Sequence, residues 1–192
     1  MLDNWQISGI ASYISGAPNQ IALSLNNSQN VTGGGDGARV VLTCDPSHNA
    51  PHTFSHWFNS SCVEAPIAGA AAHPNLYNSA GALVSPAAAA VPYSTGSGVF
   101  APKVSFYLPG DTNFDTALFK NIPLKENFRL QLRVETYNTF NHSEFNGVNN
   151  TATFANANSQ SGTTNPQTQA IFGQFSSTLN PRLMQLALRL DF

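Results

Sequence analysis

The chain has 192 residues and a mass of 20.5 kDa, the size of one domain or of a piece of something larger. Only 9% of its residues are charged and the formal net charge is -2, which excludes an electrostatic nucleic-acid binder. A hydrophobic content of 42%, with 13 Phe, excludes a disordered polar tail, and no apolar run is long enough for a transmembrane helix.

The opening Met1-Leu2-Asp3-Asn4-Trp5 has neither a basic start nor an apolar stretch, so no signal peptide is expected. A first strand is expected over about 5–15. Trp5, Ile7, Gly9, Ala11 and Tyr13 alternate with Gln6, Ser8, Ile10 and Ser12, and alternate side chains of a strand point to opposite faces. From Gly16 to Thr112 come 97 residues expected to form a long loop with short strand-like pieces at Ile21-Leu25 and Arg39-Thr43. Its Ala-rich middle, 65–90, is interrupted by Pro66, Pro74 and Pro86 and is expected to be irregular.

Several features of this stretch invite sharper readings. Cys44 and Cys62 enclose 17 residues; oxidised, they would close a loop worth roughly 3 kcal/mol, and in a reducing compartment they would be free thiols. Cys44, His48, His52 and His56 recur every four residues, as zinc ligands do on a helix, but Pro46 and Pro51 break any helix there. They are read as polar loop residues. Gly33-Gly34-Gly35-Asp36-Gly37 lacks the Lys-Ser/Thr of a phosphate-binding loop and is read as a flexible tip. The sequons at Asn26-Asn27-Ser28, Asn30-Val31-Thr32 and Asn59-Ser60-Ser61 are what an Asn-rich chain produces by chance.

A second strand is expected over 113–122, where Phe114, Leu118 and Ile122 line one face that Thr116 and Lys120 interrupt. Pro123-Leu124-Lys125-Glu126-Asn127 is a tight turn. A third strand over 127–139 sets Phe128, Leu130, Leu132 and Val134 against Arg129, Gln131, Arg133, Glu135 and Tyr137. A second long loop covers 140–180. The last strand, 181–192, carries Met184, Leu186, Leu188, Leu190 and Phe192 on one face and Gln185, Ala187, Arg189 and Asp191 on the other. No nucleophile elbow or paired carboxylates stand out, so an enzyme is not expected, and neither a cofactor nor a metal is implied.

Half-apolar strands of this length suit a soluble sandwich, with the apolar face as core, or an outer-membrane barrel, with that face in lipid and the polar face inside. The unequal connections favour the barrel, which alternates short periplasmic turns with long extracellular loops. That arrangement puts both termini on the periplasmic side and the two cysteines in an external loop, where oxidation is permitted. Arg129, Arg133, Glu135, Arg189 and Asp191 then pair with one another on the inner wall or line a solute path. Trp5, Tyr13, Phe114, Tyr137 and Phe140, near strand ends, are candidates for interfacial girdles.

Phe192, preceded by Leu190, Leu188 and Leu186 at every second position, is similar to the assembly signal of bacterial outer-membrane barrels. The segments His56-Trp57-Phe58-Asn59-Ser60-Ser61-Cys62, Phe114-Asp115-Thr116-Ala117-Leu118-Phe119-Lys120-Asn121-Ile122 and Arg133-Val134-Glu135-Thr136-Tyr137-Asn138-Thr139-Phe140-Asn141-His142, with Phe172-Gly173 and the closing strand, occur in consistent order. Together they resemble the C-terminal end of Oar-like TonB-dependent receptors, carboxypeptidase-regulatory-like-domain-containing proteins. The resemblance implies the last four strands of a large transmembrane β-barrel in the bacterial outer membrane, for uptake of a scarce solute. Its implied partners are outer-membrane lipid, the barrel assembly machinery, the rest of the receptor barrel and its plug, and TonB only through N-terminal parts that have no counterpart here. A fragment or truncated product is expected, with Met1 an internal start. The competing expectation is a secreted or surface β-sandwich that binds a ligand through its loops. It requires the Leu130/Leu132 and Leu186/Leu188 faces to be buried against each other.

Overall fold

The computed structural model describes residues 3–26, 31, 38–69, 73–88, 93–125, 128–157 and 165–192. The Gly33–Gly37 tip, most of the sequons at 26–28 and 30–32, and Glu126 and Asn127 of the tight turn lie outside the described residues. The chain divides into two compact units, one made of Met1–Ala17, Leu108–Gly147 and Ser176–Phe192, the other of Pro18–Tyr107 and Val148–Phe175.

The first unit is built on a four-stranded antiparallel meander: β1 (Trp5–Ile14), β2 (Asp111–Lys125), β3 (Phe128–Tyr137) and β4 (Leu183–Asp191), hydrogen-bonded in that order. The expected boundaries of β1, β3 and β4 lie within two residues of those observed. β2 is longer than 113–122. It runs through Pro123 to Lys125, which pairs with Phe128 across a register irregularity. Only residues 126 and 127 therefore separate β2 from β3.

Register decides what shares a face, because directly paired residues point to the same side of a sheet. Trp5, Lys120, Leu132 and Leu188 form one row, Ile7, Leu118, Val134 and Leu186 the next, and Ile122, Leu130 and Leu190 another. One residue out of phase run Gln6, Phe119, Arg133 and Ala187; Ser8, Ala117, Glu135 and Gln185; and Asn121, Gln131 and Arg189. The two-residue period thus sorts apolar from polar side chains across all four strands at once. A slip of one residue in any pairing would mix them.

The second unit holds the two expected strand pieces, as Ala22–Leu25 and Val41–Leu42, and more order than the expected irregular loops around them. Short ladders join Val41–Leu42 to Val63–Glu64 and to Val99–Phe100, Pro18–Asn19 to Phe106–Tyr107, and Leu76–Tyr77 to Leu83–Ser85 within the Ala-rich stretch. Ala22–Leu25 pairs with Thr151–Phe154 in parallel, an exception to the antiparallel expectation. Phe58 packs on Phe106 and Phe172 with ring centroids 4.6 and 5.1 Å away, and Ile21, Val40, Val41, Phe58 and Phe154 are all at most 1% exposed. Each such aromatic stabilises the unit by about 1.5–3 kcal/mol through the area it removes from water. Cys44 and Cys62 are joined in a disulfide with Cα atoms 5.0 Å apart, and Cys62 ends a 3-10 turn, Ser60–Cys62, capped by the Asn59 side chain. Among the described residues there is no helix long and apolar enough to cross a membrane, which says nothing of crossing by strands.

Candidate membrane interface

The apolar face of the meander is not covered. Ile7 is 77% exposed, Leu186 72% and Leu188 68%, and Met184, Leu190 and Trp5 are exposed as well. Burial of a leucine side chain is worth about 1.5–3 kcal/mol, so a row of them left in water forgoes that several times over. The sandwich arrangement is not formed, because Leu130 and Leu132 lie beside Leu190 and Leu188 in one sheet and not opposite them in a second. Among the described residues, the outer edges of β1 and β4 have no neighbouring strand, so the sheet is an open section of a larger surface.

The two interruptions of the apolar face are each locally satisfied. The Thr116 hydroxyl lies 2.7 Å from that of its row partner Thr136 and 3.2 Å from that of Thr139, so three hydroxyls answer one another. The Lys120 ammonium donates to the Asp3 carbonyl at 2.7 Å and sits 4.9 Å from the Trp5 ring centroid. At the loop ends of the same strands, Tyr13 meets Phe114 edge-on at 5.8 Å and Phe114 meets Phe140 at 5.2 Å. Trp5 and Tyr13 are eight residues apart on β1, about 27 Å of strand at about 3.4 Å per residue. Tilted by about 40°, that length spans about 21 Å, close to the apolar band of about 25 Å in outer-membrane barrels.

The opposite face is polar and internally paired. Arg133 pairs with Glu135 and Arg189 with Asp191, the latter at 2.8 Å, each between residues two apart on one strand. Gln131 donates to Asn121 at 2.9 Å, and Arg133 lies over the Phe119 ring. At the loop end of this face, a cavity of about 640 Å³ is lined by Asp111, Asn113, Asp115, Tyr137, Glu144 and Arg182, among others.

Around it is a network that the strand pattern did not reveal. Asp115 accepts from the Asn138 backbone at 2.9 Å and from Asn113 at 3.0 Å, and Glu144 accepts from the Thr112 backbone at 3.1 Å. Asn138 and Asn141 have φ of 50° and 53°, conformations Asn tolerates better than most side chains. The signal available in the sequence was that Asn spacing.

A family model described as an outer membrane beta barrel domain matches residues 1–185. The chain belongs to that family. It is a protein of the bacterial outer membrane. No curated protein and no solved structure matches it. In an outer membrane beta barrel domain the apolar strand face is the one turned to acyl chains and the polar face is the inner wall. Arg129, Arg133, Glu135, Arg189 and Asp191 stand on that polar side. The barrel is not closed by these four strands, as expected of an incomplete barrel.

The other candidate residues fall as follows. Leu186, Leu188 and Leu190 lie on the apolar face, and Phe192, next after Asp191, is 91% exposed. Trp5, Tyr13, Phe114 and Phe140 gather at the two ends of the apolar face, whereas Tyr137 pairs with Leu183 on the polar side and lines the cavity instead. Cys44 is bonded to Cys62, and no three His, Cys, Asp or Glu side chains converge on a metal-sized point among the described residues. His52 instead lies edge-on to Trp57 at 4.6 Å.

Proposed function

We propose that the chain is the C-terminal wall of an Oar-like TonB-dependent receptor that takes up a scarce solute, with no catalysis of its own. The observation that carries this reading is the four-strand face of apolar residues left open to its surroundings, backed by a wall of paired charges and joined by alternately short and very long connections. Lipid contacts the Leu186/Leu188/Leu190 side. The barrel assembly machinery reads the closing strand through Phe192 and the leucines before it. The remaining barrel strands pair with β1 and β4, because unpaired backbone groups in hydrocarbon cost several kcal/mol each. A plug occupies the interior, and TonB acts through segments N-terminal to those described. The connections that form the second unit face the outside and contribute to ligand capture.

Reading the coding DNA upstream of Met1 tests this. An uninterrupted frame through further alternating strands, a plug and a TonB box is the expected result. An in-frame stop codon just upstream, with a start signal at Met1, would refute it.

A further inference from the structure

The cation within the rows of the apolar face calls for an explanation of its own. Lys120 stands in a row with Trp5, Leu132 and Leu188, and burying an unpartnered ammonium in hydrocarbon is costly. Its side chain escapes that cost by reaching toward the turn end of the sheet, where it donates to the Asp3 carbonyl and covers the Trp5 ring. An ammonium has three donors, and the carbonyl uses one.

The level at which this occurs follows from the register. Trp5 shares its row with Leu188, and Phe192 lies four residues past Leu188 on the same face. Four residues of strand make about 14 Å, and three strand spacings of about 4.8 Å make about 14 Å across the sheet. The line from Trp5 to Phe192 is therefore inclined by about 45° to the rows, the inclination that tilted barrel strands give to the membrane plane. On β2 this line passes about one residue beyond Lys120, toward the turn, which is where its ammonium points.

At this end of the sheet Lys125 and Arg129 flank the β2–β3 turn, but Asp191 is the register partner of Arg129 and pairs with Arg189, and Asp3 lies next to Lys120, so the charge offered to an anion is that of the Lys120 ammonium itself.

Building on the membrane reading above, we infer that Trp5 and Lys120 form a binding site for the phosphate of an anionic phospholipid in the periplasmic leaflet. The indole lies at the hydrocarbon boundary, and the two free ammonium donors take a lipid phosphate oxygen. The backbone carbonyl of Asp3 holds the ammonium at that depth.

The experiment uses the full chain assembled with the remaining strands of its barrel, those strands carrying Phe in place of every Trp, in phosphatidylethanolamine vesicles doped with phosphatidylglycerol and retained after an alkaline carbonate wash. The chain has two tryptophans, Trp5 and Trp57, so Trp57→Phe leaves Trp5 as the reporter. Phospholipids brominated near the ester quench it more than those brominated near the methyl end, and in Trp5→Phe the remaining indole shows no such depth profile. Headgroup-labelled phosphatidylglycerol gathers around Trp5 with about a fivefold preference over phosphatidylethanolamine, the size expected for one basic residue at a lipid surface. Lys120→Gln abolishes the preference, and Lys125→Gln leaves most of it.

Strongest quenching by the deep label, or a preference that survives Lys120→Gln, overturns the lipid site while leaving the barrel reading in place. Loss of this assembled barrel in the carbonate wash overturns the membrane reading and the lipid site with it.

Discussion

Leu188 is the most informative position at which to place a charge. It lies midway along β4 between Met184 and Phe192, four residues from each, and its side chain is 68% exposed on the apolar face. An arginine at the midplane of a barrel's lipid-facing surface costs about 2–4 kcal/mol, and one near the interface about 0–1 kcal/mol. Leu188→Arg is thus expected to lower the folded-to-unfolded ratio in the membrane by about 30- to 1000-fold, and Met184→Arg by less than about tenfold. Gln185→Arg is the control, because Gln185 is paired with Glu135 on the polar face and a guanidinium there gains a partner. The assay is urea unfolding of the protein in outer-membrane vesicles, with midpoints compared among the three variants. Equal midpoints for Leu188→Arg and Gln185→Arg would refute the assignment of faces. A larger loss for Met184→Arg than for Leu188→Arg would refute the placement of the midplane.

Other outcomes follow from the second unit and from the strand ends. Replacing Cys44 and Cys62 together by Ser removes a bridge between residues 18 apart and lowers the stability of that unit by about 3 kcal/mol, read as an earlier protease cleavage midpoint in Pro18–Tyr107. Phe154→Ala empties a fully buried site and costs the same unit about 3–5 kcal/mol; an unchanged denaturation midpoint would show that the core is wrongly placed. Gly98→Ala directs a Cβ into the Leu42 carbonyl oxygen, only 2.6 Å away, and loosens the Val41–Leu42/Val99–Phe100 ladder, measured as faster amide exchange there. Phe114→Ala removes ring contacts to both Tyr13 and Phe140 and lowers the urea midpoint by the equivalent of about 3 kcal/mol, since both edge-on pairs go with the ring.

The meander was legible in the sequence because β3 and β4 obey a period of two closely and β1 and β2 obey it in part. Met184, Leu186, Leu188 and Leu190 leave no ambiguity about the face of β4, and register then carries the pattern to β3 and β2. Where β2 blurred, the structure gives the reason: Thr116 is answered by Thr136 and Thr139, and Lys120 by Asp3, so neither polar group needs the other face. The far end of β2 was missed because Pro123 argues against a strand interior, and the register shifts there to accommodate it.

Of the second unit only the strand pieces at Ile21-Leu25 and Arg39-Thr43 were legible, found as Ala22–Leu25 and Val41–Leu42, and the cause of the rest being hidden is physical. Its core is assembled from Ile21, Phe58, Phe106, Phe154 and Phe172, single residues far apart in the chain with no common period. The two-residue ladders at Val63–Glu64, Leu76–Tyr77 and Val99–Phe100 carry too little alternation to read. The parallel pairing of Ala22–Leu25 with Thr151–Phe154 joins segments more than 120 residues apart, which local pattern does not report. At the polar cavity, the carboxylates were visible as residues but not as neighbours. Asn138 brings Asp115 into the network from the far side of a turn, and only the positive φ of that Asn marks the place.

Spin labels placed singly at positions 185 to 190 interrogate the face directly, through collision with oxygen, which concentrates in acyl chains, and with a water-soluble nickel chelate. Labels at 186, 188 and 190 are predicted to collide often with oxygen and rarely with nickel, with the reverse at 185, 187 and 189. Labels at 186, 188 and 190 immobilised and shielded from both reagents would mean that protein, and not lipid, covers that side of β4.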